Sequence, residues 1–306
     1  MIGQMLLFCA AALFSFLLTF PVIWVLKLLH LNQSIRQEGP PNHQIKTGTL
    51  TMGGIGFILT IIIFTIIFIS FEFNLRYLAL ILLVLGFAGI GLTDDLMKVF
   101  RHQNQGLTFW QKIIVQTIFA AIFSAFLVMQ GHYLINPALY VLLSTFLIVG
   151  TANATNLTDG LNGLLAGTAT IAFIVFALVA EKLALSDAVT FCVLSAGAIA
   201  VFLYFNFPEA KVFMGDIGSL AIGAALAGIA IIMHKELLLA VIGGVFLVEA
   251  LSVIMQVAGY KLWRRRVFKM APIHHHFELM GFSEFSIVIG FWVVGIILGI
   301  AGVLIG

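Results

Sequence analysis

Charged residues are scarce in this chain of 306 residues, where Asp, Glu, Lys and Arg together make up 9% of the sequence. So few polar side chains cannot cover the surface of a water-soluble domain, which excludes an ordinary soluble enzyme. Cysteine is also rare: Cys9 and Cys192 lie in different apolar segments, which excludes a disulfide framework and indicates no redox chemistry. The formal net charge of +2 is no argument for nucleic acid, and no nucleic-acid partner is expected.

Hydrophobic residues account for 62% of the chain, and its mean hydropathy is +1.16. They form continuous runs of about the 20 residues that an α-helix needs to cross a bilayer, rather than short alternating strands. The sequence therefore predicts an all-α integral membrane protein, with residues 1–306 forming one domain in the lipid bilayer. The ten predicted spans are 2–29, 52–70, 77–93, 110–130, 137–155, 161–180, 187–205, 217–234, 237–259 and 285–305.

The distribution of Lys and Arg orients this bundle. Twelve of the fifteen lie at or between spans 1/2, 3/4, 5/6, 7/8 and 9/10, and the exceptions are Arg76, Lys182 and Lys235. Because retained cations mark cytoplasmic loops, both termini are expected outside the cytoplasm. The first span has no basic segment before it and is interpreted as an uncleaved helix rather than a signal peptide.

Polar residues concentrate in five loops on the predicted cytoplasmic face. The blocks are IRQEGPPNHQIKTGTLTMGG, GLTDDLMKVFRHQNQGLTFWQK, NATNLTDGLNGL, NFPEAKVFMGDIGS and MAPIHHHFELMG. Four acids among them, Asp94, Asp95, Asp159 and Asp216, offer hard oxygen ligands that suit Mg²⁺, an ion that shares itself with substrate phosphates. Nearby Lys and Arg suit a polyanionic substrate, so the pattern indicates phosphoryl transfer.

Each acid also has a structural explanation. Asp94 and Asp95 are expected at the C-terminus of the third span, where Lys98 would ease their mismatch with the helix dipole. Asp216 directly precedes the eighth span and suits an N-cap. Asp159 precedes the sixth span in the same way.

Two asparagines make the surroundings of Asp159 unusual. Asn156 and Asn162 flank it at intervals of three residues, which places all three close to one side of a helical start. A cap explains one of these polar residues but not three, so we interpret the group as functional.

Three consecutive histidines, His274–His276, lie in the last cytoplasmic loop and are expected to reach the same face as the acids. A neutral imidazole can donate to a phosphate, shuttle a proton or bind a metal.

Two other groups of charged residues have competing interpretations. The basic run Arg264–Arg266 can bind the polyanionic substrate, or it can contact anionic lipid and orient the chain. Glu249 is the one acid deep within a predicted span, where an ionisable residue usually has a partner or a function. The sequence does not identify that partner.

Four of the motifs, MAPIHHHFELMGFSE, NLTDGLNGL, FMGDIGSL and IRQEGPPNHQIKTGTLTMGG, resemble those of the phospho-N-acetylmuramoyl-pentapeptide transferase family, within the polyprenyl-phosphate N-acetylhexosamine-1-phosphate transferases. The similarity covers the five blocks in order. It implies ten transmembrane helices and an active site on the cytoplasmic side of the bacterial inner membrane. It also implies Mg²⁺ as cofactor and is compatible with a homodimer. The implied reaction moves phospho-MurNAc-pentapeptide from UDP-MurNAc-pentapeptide to undecaprenyl phosphate, which gives lipid I and UMP in peptidoglycan biosynthesis.

The resemblance also assigns roles to matching positions. It implies Asp94, Asp95 and His274 as catalytic residues and Asp216 as the Mg²⁺ ligand. The implied substrate-binding residues are Lys46, Thr51, Lys112, Asn156, Asp159, Asn162, Asn206, Phe213, Gln256, Ala271, His275 and His276.

Four positions depart from the family pattern. Leu50 stands where the family usually has Pro, Asn162 where it has Asp, Phe282 where it has Trp, and Gly290 where it has Arg. Of these, Asn162 bears most on nucleoside binding, because an amide replaces a carboxylate.

Two other functions compete with this interpretation. A sister transferase that moves an N-acetylhexosamine phosphate would share the aspartates, but the segment PIHHHFE favours the muramoyl enzyme. A proton-coupled transporter would carry its polar site near the membrane midplane, whereas nearly all the candidates here are expected at one surface.

Overall fold

The computed structural model describes residues 2–32, 48–69, 74–101 and 105–306. Within these ranges the regular structure is entirely helical, apart from the isolated bridges Asn32–Leu50 and Leu50–Val212. The helices are α1 (Ile2–Leu28), α2 (Gly54–Phe68), α3 (Leu75–Phe100), α4 (Phe109–Met129), α5 (Pro137–Thr158), α6 (Leu164–Lys182), α7 (Ser186–Ala200), α8 (Leu203–Asn206), α9 (Gly215–Ile232), α10 (Glu236–Ile242), α11 (Gly244–Trp263), α12 (Ile273–Glu278) and α13 (Glu284–Ile305). The all-α prediction is confirmed.

Nine helical segments in the described part of the chain are long and apolar enough to cross a membrane, which is the pattern of a multi-pass membrane protein. Of the predicted spans, 52–70 corresponds to α2, whose 15 residues are fewer than the approximately 20 that a perpendicular span needs. Span 237–259 is divided into α10 and α11 at Gly243, because adjacent glycines are poor helix formers.

The surface of the bundle is apolar. Trp24, Phe146 and Ile300 each leave more than half of their surface exposed, and many other large apolar side chains do the same. A water-soluble monomer rarely exposes so much contiguous apolar surface, whereas lipid tails cover it at no cost in hydration. The interior centres on α9, whose small residues let α3 and α5 pack closely on it.

Both chain ends lie at the same end of the bundle. The Gln4 side chain donates to Glu181 near the end of α6, and the Lys235 ammonium donates to the backbone oxygen of Gly306 at 3.3 Å. Helices α6 and α9 both end here, so the chain ends lie opposite the end at which these helices begin.

Three predicted helix ends were wrong, and each error concerns a candidate acid. Asp94 and Asp95 lie inside α3, which continues to residue 100 because Lys98 pairs with both carboxylates from the next turn. Asp216 is in the first turn of α9 and makes no cap hydrogen bond, since its carboxylate faces lysines instead. Asp159 follows the end of α5 rather than starting α6, so it does not share one helical start with its flanking asparagines.

Candidate active site

Asp94 and Asp95 in the C-terminal part of α3 and Asp216 in the first turn of α9 form an acid cluster, with one carboxylate oxygen from each within 4.8 Å of the others. Two glycines permit this approach. A Cβ on Gly91 would lie 2.2 Å from the backbone oxygen of Asp216, so any side chain there would force α3 and α9 apart. Gly215 has φ of +76°, and a Cβ on it would lie 2.5 Å from Asp95 Oδ2.

Two lysines lie among the three carboxylates. Lys98 Nζ is 2.6 Å from Asp94 Oδ2, 3.0 Å from Asp216 Oδ2 and 3.9 Å from Asp95 Oδ1. Lys112 Nζ is 2.5 Å from Asp216 Oδ2 and 3.5 Å from Asp94 Oδ2. From the sequence, Lys98 was predicted only to ease the helix end, a role that its spacing of four residues from Asp94 indicates. Its contact with Asp216, 118 residues away, could not be predicted from that spacing.

Backbone amides fix the orientation of the paired acids. Asp94 Oδ1 accepts from the N–H of Leu107 at 2.8 Å, and Asp95 Oδ2 accepts from the N–H of Ile217 at 3.1 Å. The second of these amides belongs to the first turn of α9, where the positive end of the helix dipole stabilises an anion. Each carboxylate therefore uses one oxygen for positioning and directs the other toward Lys98.

The end of α5 closes a further side of the cluster. Asn156 Nδ2 donates to Asp216 Oδ1 at 2.8 Å and to Ser219 Oγ at 2.8 Å. Asp159 lies one turn later. Burial raises the pKa of Asp159 well above its usual range, and the negative charges of Asp216 and Asp95 raise it further. A substrate phosphate here would need metal or lysine charge to offset these acids.

Two asparagines fix the loop between α5 and α6. Asn206 Oδ1 accepts from the N–H of Gly163 at 2.7 Å, and its Nδ2 donates to the Val212 carbonyl at 3.0 Å. Asn162 Nδ2 donates to the Pro208 carbonyl at 3.0 Å. These residues were predicted to bind substrate, and the structure gives both side chains bonds that hold the loop.

Two further candidates lie at the entry to α9. Thr51 is buried, and a Cβ on Gly215 would lie 3.1 Å from its hydroxyl, so it borders the acid cluster. Phe213 is fixed by donation of its N–H to the Leu50 carbonyl at 2.8 Å, while its residue surface stays partly exposed. Lys46 lies outside the described residues.

The three histidines are half of the six-residue helix α12, and each has a different partner. His274 is buried and contacts an acid of α11. His275 Nδ1 lies 2.6 Å from Glu278 Oε2, and His276 Nδ1 accepts from the N–H of Lys269 at 3.1 Å. The three rings therefore do not converge on one point, which argues against a shared tetrahedral metal site.

Gln256 fixes the loop that leads to this helix. Its Oε1 accepts from the N–H groups of Val267 and Phe268 at 3.0 and 2.9 Å, and its Nε2 donates to the Phe268 carbonyl at 3.1 Å. Ala271 follows in the same loop and is partly exposed. The structure thus gives Gln256 a structural role, and its binding role stays a prediction.

Comparison with known proteins gives a consistent result. The family model described as glycosyl transferase family 4 matches residues 77–234. A protein of Shouchella clausii (strain KSM-K16) is 47% identical over 294 residues, with 92% of this chain and 90% of the relative covered. A protein of Bacillus subtilis (strain 168) is 44% identical over 323 residues, covering 100% of this chain and 99% of the relative. Both relatives are named phospho-N-acetylmuramoyl-pentapeptide-transferase, and this chain belongs to that family within glycosyl transferase family 4.

Proposed function

We propose that this chain transfers phospho-N-acetylmuramoyl-pentapeptide from UDP-MurNAc-pentapeptide to undecaprenyl phosphate, releasing UMP and forming lipid I for peptidoglycan synthesis. The observation that carries the proposal is the convergence of three aspartates and two lysines at one end of an apolar bundle. The names of the relatives supply the phospho-MurNAc-pentapeptide group. Family membership favours this reaction over a transporter and over transfer of another hexosamine phosphate.

The proposed setting is a bacterial cell membrane with the acid cluster at the cytoplasmic surface. Basic residues support this orientation, because Lys98 and Lys112 lie at the cluster end of the bundle while Lys182 and Lys235 lie at the other. Both chain ends would then be extracytoplasmic. In this arrangement α2 serves as the tenth, shorter span.

The carboxylates suit Mg²⁺, since three hard oxygen donors, two from adjacent residues of α3 and one from α9, lie close enough together to hold one ion. Asp216 is the proposed ligand, with Asp94 and Asp95 beside it. When bound, Mg²⁺ would neutralise charge on the diphosphate of the donor. Lys98 and Lys112 are placed to pair with phosphate oxygens, because their ammonium groups already lie between the carboxylates.

The paired acids and His274 are the proposed catalytic groups. The new bond must join an oxygen of the lipid phosphate to the sugar-linked phosphorus, and the bond to UMP must break; this takes one step if the lipid phosphate attacks directly, or two if a carboxylate first displaces UMP and the lipid phosphate then displaces the carboxylate. Asp94 is suited to take up a proton from the lipid phosphate or to attack the phosphorus itself, because one oxygen is held by a backbone amide and the other faces the lysines. Asp95, the next residue of α3, is likewise held by a backbone amide, that of Ile217.

The donor is proposed to lie along the loops that border the cluster. Phe213 is a partly exposed aromatic residue beside the entry to α9, which suits stacking on uracil. The remaining proposed contacts are Lys46, Thr51, Lys112, Asn156, Asp159, Asn162, Asn206, Gln256, Ala271, His275 and His276.

The direct test uses purified protein in detergent with UDP-MurNAc-pentapeptide, undecaprenyl phosphate and Mg²⁺. We expect UMP release that requires both substrates and stops with EDTA. A parallel reaction with UDP-N-acetylglucosamine serves as the control for donor specificity. UMP release with UDP-N-acetylglucosamine but not with UDP-MurNAc-pentapeptide would contradict the proposal and favour a sister transferase. No UMP release with either donor would contradict transfer of any sugar phosphate.

Asn162 gives a prediction about donor affinity. In Asn162→Asp the carboxylate should accept a bond from the nucleoside, so we expect a lower KM for the UDP-sugar and an unchanged kcat. The same change removes the donor to Pro208, which should lower stability by about 1–3 kcal/mol. Steady-state kinetics and thermal unfolding in detergent measure the two effects separately.

Asn162→Ala is the matched control, because it also loses the bond to Pro208 but adds no carboxylate. It should share the loss of stability without any gain in affinity. If KM falls equally in both variants, or in neither, the carboxylate has no role in nucleoside binding.

A further inference from the structure

Glu249 is a buried acid within an apolar, membrane-spanning helix. It lies in the second turn of α11, and none of its surface is exposed. A carboxylate removed from water costs several kcal/mol unless a partner compensates for it. Such a residue is therefore expected to have a specific partner on a neighbouring element.

That partner is His274 of α12. His274 Nδ1 lies 3.1 Å from Glu249 Oε2, and neither side chain has any exposed surface. The nearby Ser252 hydroxyl donates to the backbone carbonyl of Glu249, not to its carboxylate. Within the described ranges, Glu249 Oε1 and His274 Nε2 have no hydrogen-bond partner. The contact between the two residues is thus their shared polar anchor.

This contact determines which ring nitrogen is available. An ionised carboxylate only accepts hydrogen bonds, so the proton of a neutral His274 must lie on Nδ1. Nε2 then keeps its lone pair and can accept a proton. An acid that orients a histidine in this way is a common arrangement beside catalytic bases and metal-bound imidazoles.

The free nitrogen points to the loop after α5. A Cβ on Gly160 would lie 2.2 Å from His274 Nε2, so the ring packs directly on that glycine. Asp159 is the preceding residue, and its carboxyl interacts electrostatically with Asp216 and Asp95 of the acid cluster. Nε2 therefore faces the loop that borders the acid cluster, while Nδ1 faces Glu249 of α11.

We propose that Glu249 is a positioning residue for the transfer reaction proposed above: it holds His274 in one tautomer, with Nε2 directed to the loop that borders the acid cluster. Glu249 acts through the histidine and does not itself touch substrate. The inference rests on the proposed function, and it assigns a role to a buried acid that is not itself a member of the acid cluster.

The test is a double-mutant cycle with UMP release as the readout. Glu249→Gln keeps the side-chain volume but removes the charge, and we expect kcat to fall about 10- to 100-fold with KM for both substrates unchanged. His274→Ala should lower kcat by about 10²- to 10⁴-fold. Adding Glu249→Gln to His274→Ala should cause no further loss, since the acid acts through the missing ring.

Ser252→Ala is the matched control, because Ser252 is buried one turn away and bonds the same residue's backbone. It should keep wild-type kcat. Thermal unfolding in detergent reports whether each variant is folded. If Glu249→Gln does not fold, Glu249→Asp keeps the charge but withdraws it by one methylene, and it should lower kcat.

The outcomes separate the two proposals. A wild-type protein that releases no UMP contradicts the proposed function and this inference with it. An active wild type with a fully active Glu249 variant contradicts the inference alone. So does a double variant whose loss is the product of the two single losses, because a merely structural acid would act independently of His274.

Discussion

Replacing Asp94 with asparagine should lower kcat by about 10²- to 10⁴-fold at saturating Mg²⁺, with little change in KM. Asparagine has the same size, and its oxygen can still accept from the N–H of Leu107. The variant therefore removes the charge and the capacity to take a proton while the local fold is kept. Steady-state UMP release measures kcat directly.

Asp216→Asn should behave differently and raise the Mg²⁺ concentration needed for half-maximal activity. Asp216 begins α9, where the helix dipole disfavours a cation, so metal binding must depend on the carboxylate and the substrate phosphates. Asn156 already fixes Oδ1, which leaves Oδ2 facing both lysines. A Mg²⁺ titration of each variant distinguishes these roles.

Asp187→Asn is the control for this pair of variants. Asp187 lies in the first turn of α7, away from the acid cluster, and accepts a hydrogen bond from the Asn74 side chain. Its kcat and Mg²⁺ dependence should match the wild type. Recovery of Asp94→Asn by extra Mg²⁺, with no recovery of Asp216→Asn, would reverse the assignment.

Gly91→Ala should abolish most activity although residue 91 carries no functional group. Its Cβ would lie 2.2 Å from the backbone oxygen of Asp216, and neither backbone can yield without separating α3 from α9. Overpacking of this kind costs about 1–3 kcal/mol. It would also move Asp94 and Asp95 away from Asp216. Activity and thermal unfolding in detergent should both decline.

Gly89→Ala, two residues earlier on α3, is the matched control because a Cβ there meets nothing within 4 Å. It should be fully active and at least as stable, since alanine is favoured over glycine in a helix by about 1 kcal/mol. Full activity of Gly91→Ala would show that the close approach of the helices is not needed for the reaction.

Local sequence was sufficient to predict the long apolar helices, but it did not predict their ends or the short helices α8, α10 and α12. Long apolar runs predict spanning helices because hydropathy and length act within each segment. The ends depend on what the terminal side chains contact. Lys98 lets α3 continue past Asp94 and Asp95, and Lys98 of α3 and Lys112 of α4 draw Asp216 away from a capping role.

The candidate site was likewise predictable only in part: the sequence identified its residues but not their contacts. The motifs identified the acids, the asparagines and the histidines, because these residue types are rare in so apolar a chain. They gave no indication that Asn206 and Gln256 use their amides to fix loops. Such bonds join segments whose spacing in space is not encoded in any single motif.

The sequence by itself determined an all-helical membrane protein, the five polar blocks and the family to which they belong. Only the tertiary structure decided which polar groups meet. Asp94 and Asp216 come together because Gly91 lets two helices touch, and Glu249 finds His274 because α12 folds back against α11. The physical reason is that hydropathy and helix propensity act over a few turns, whereas ion pairs and close helix contacts depend on packing between residues distant in the chain.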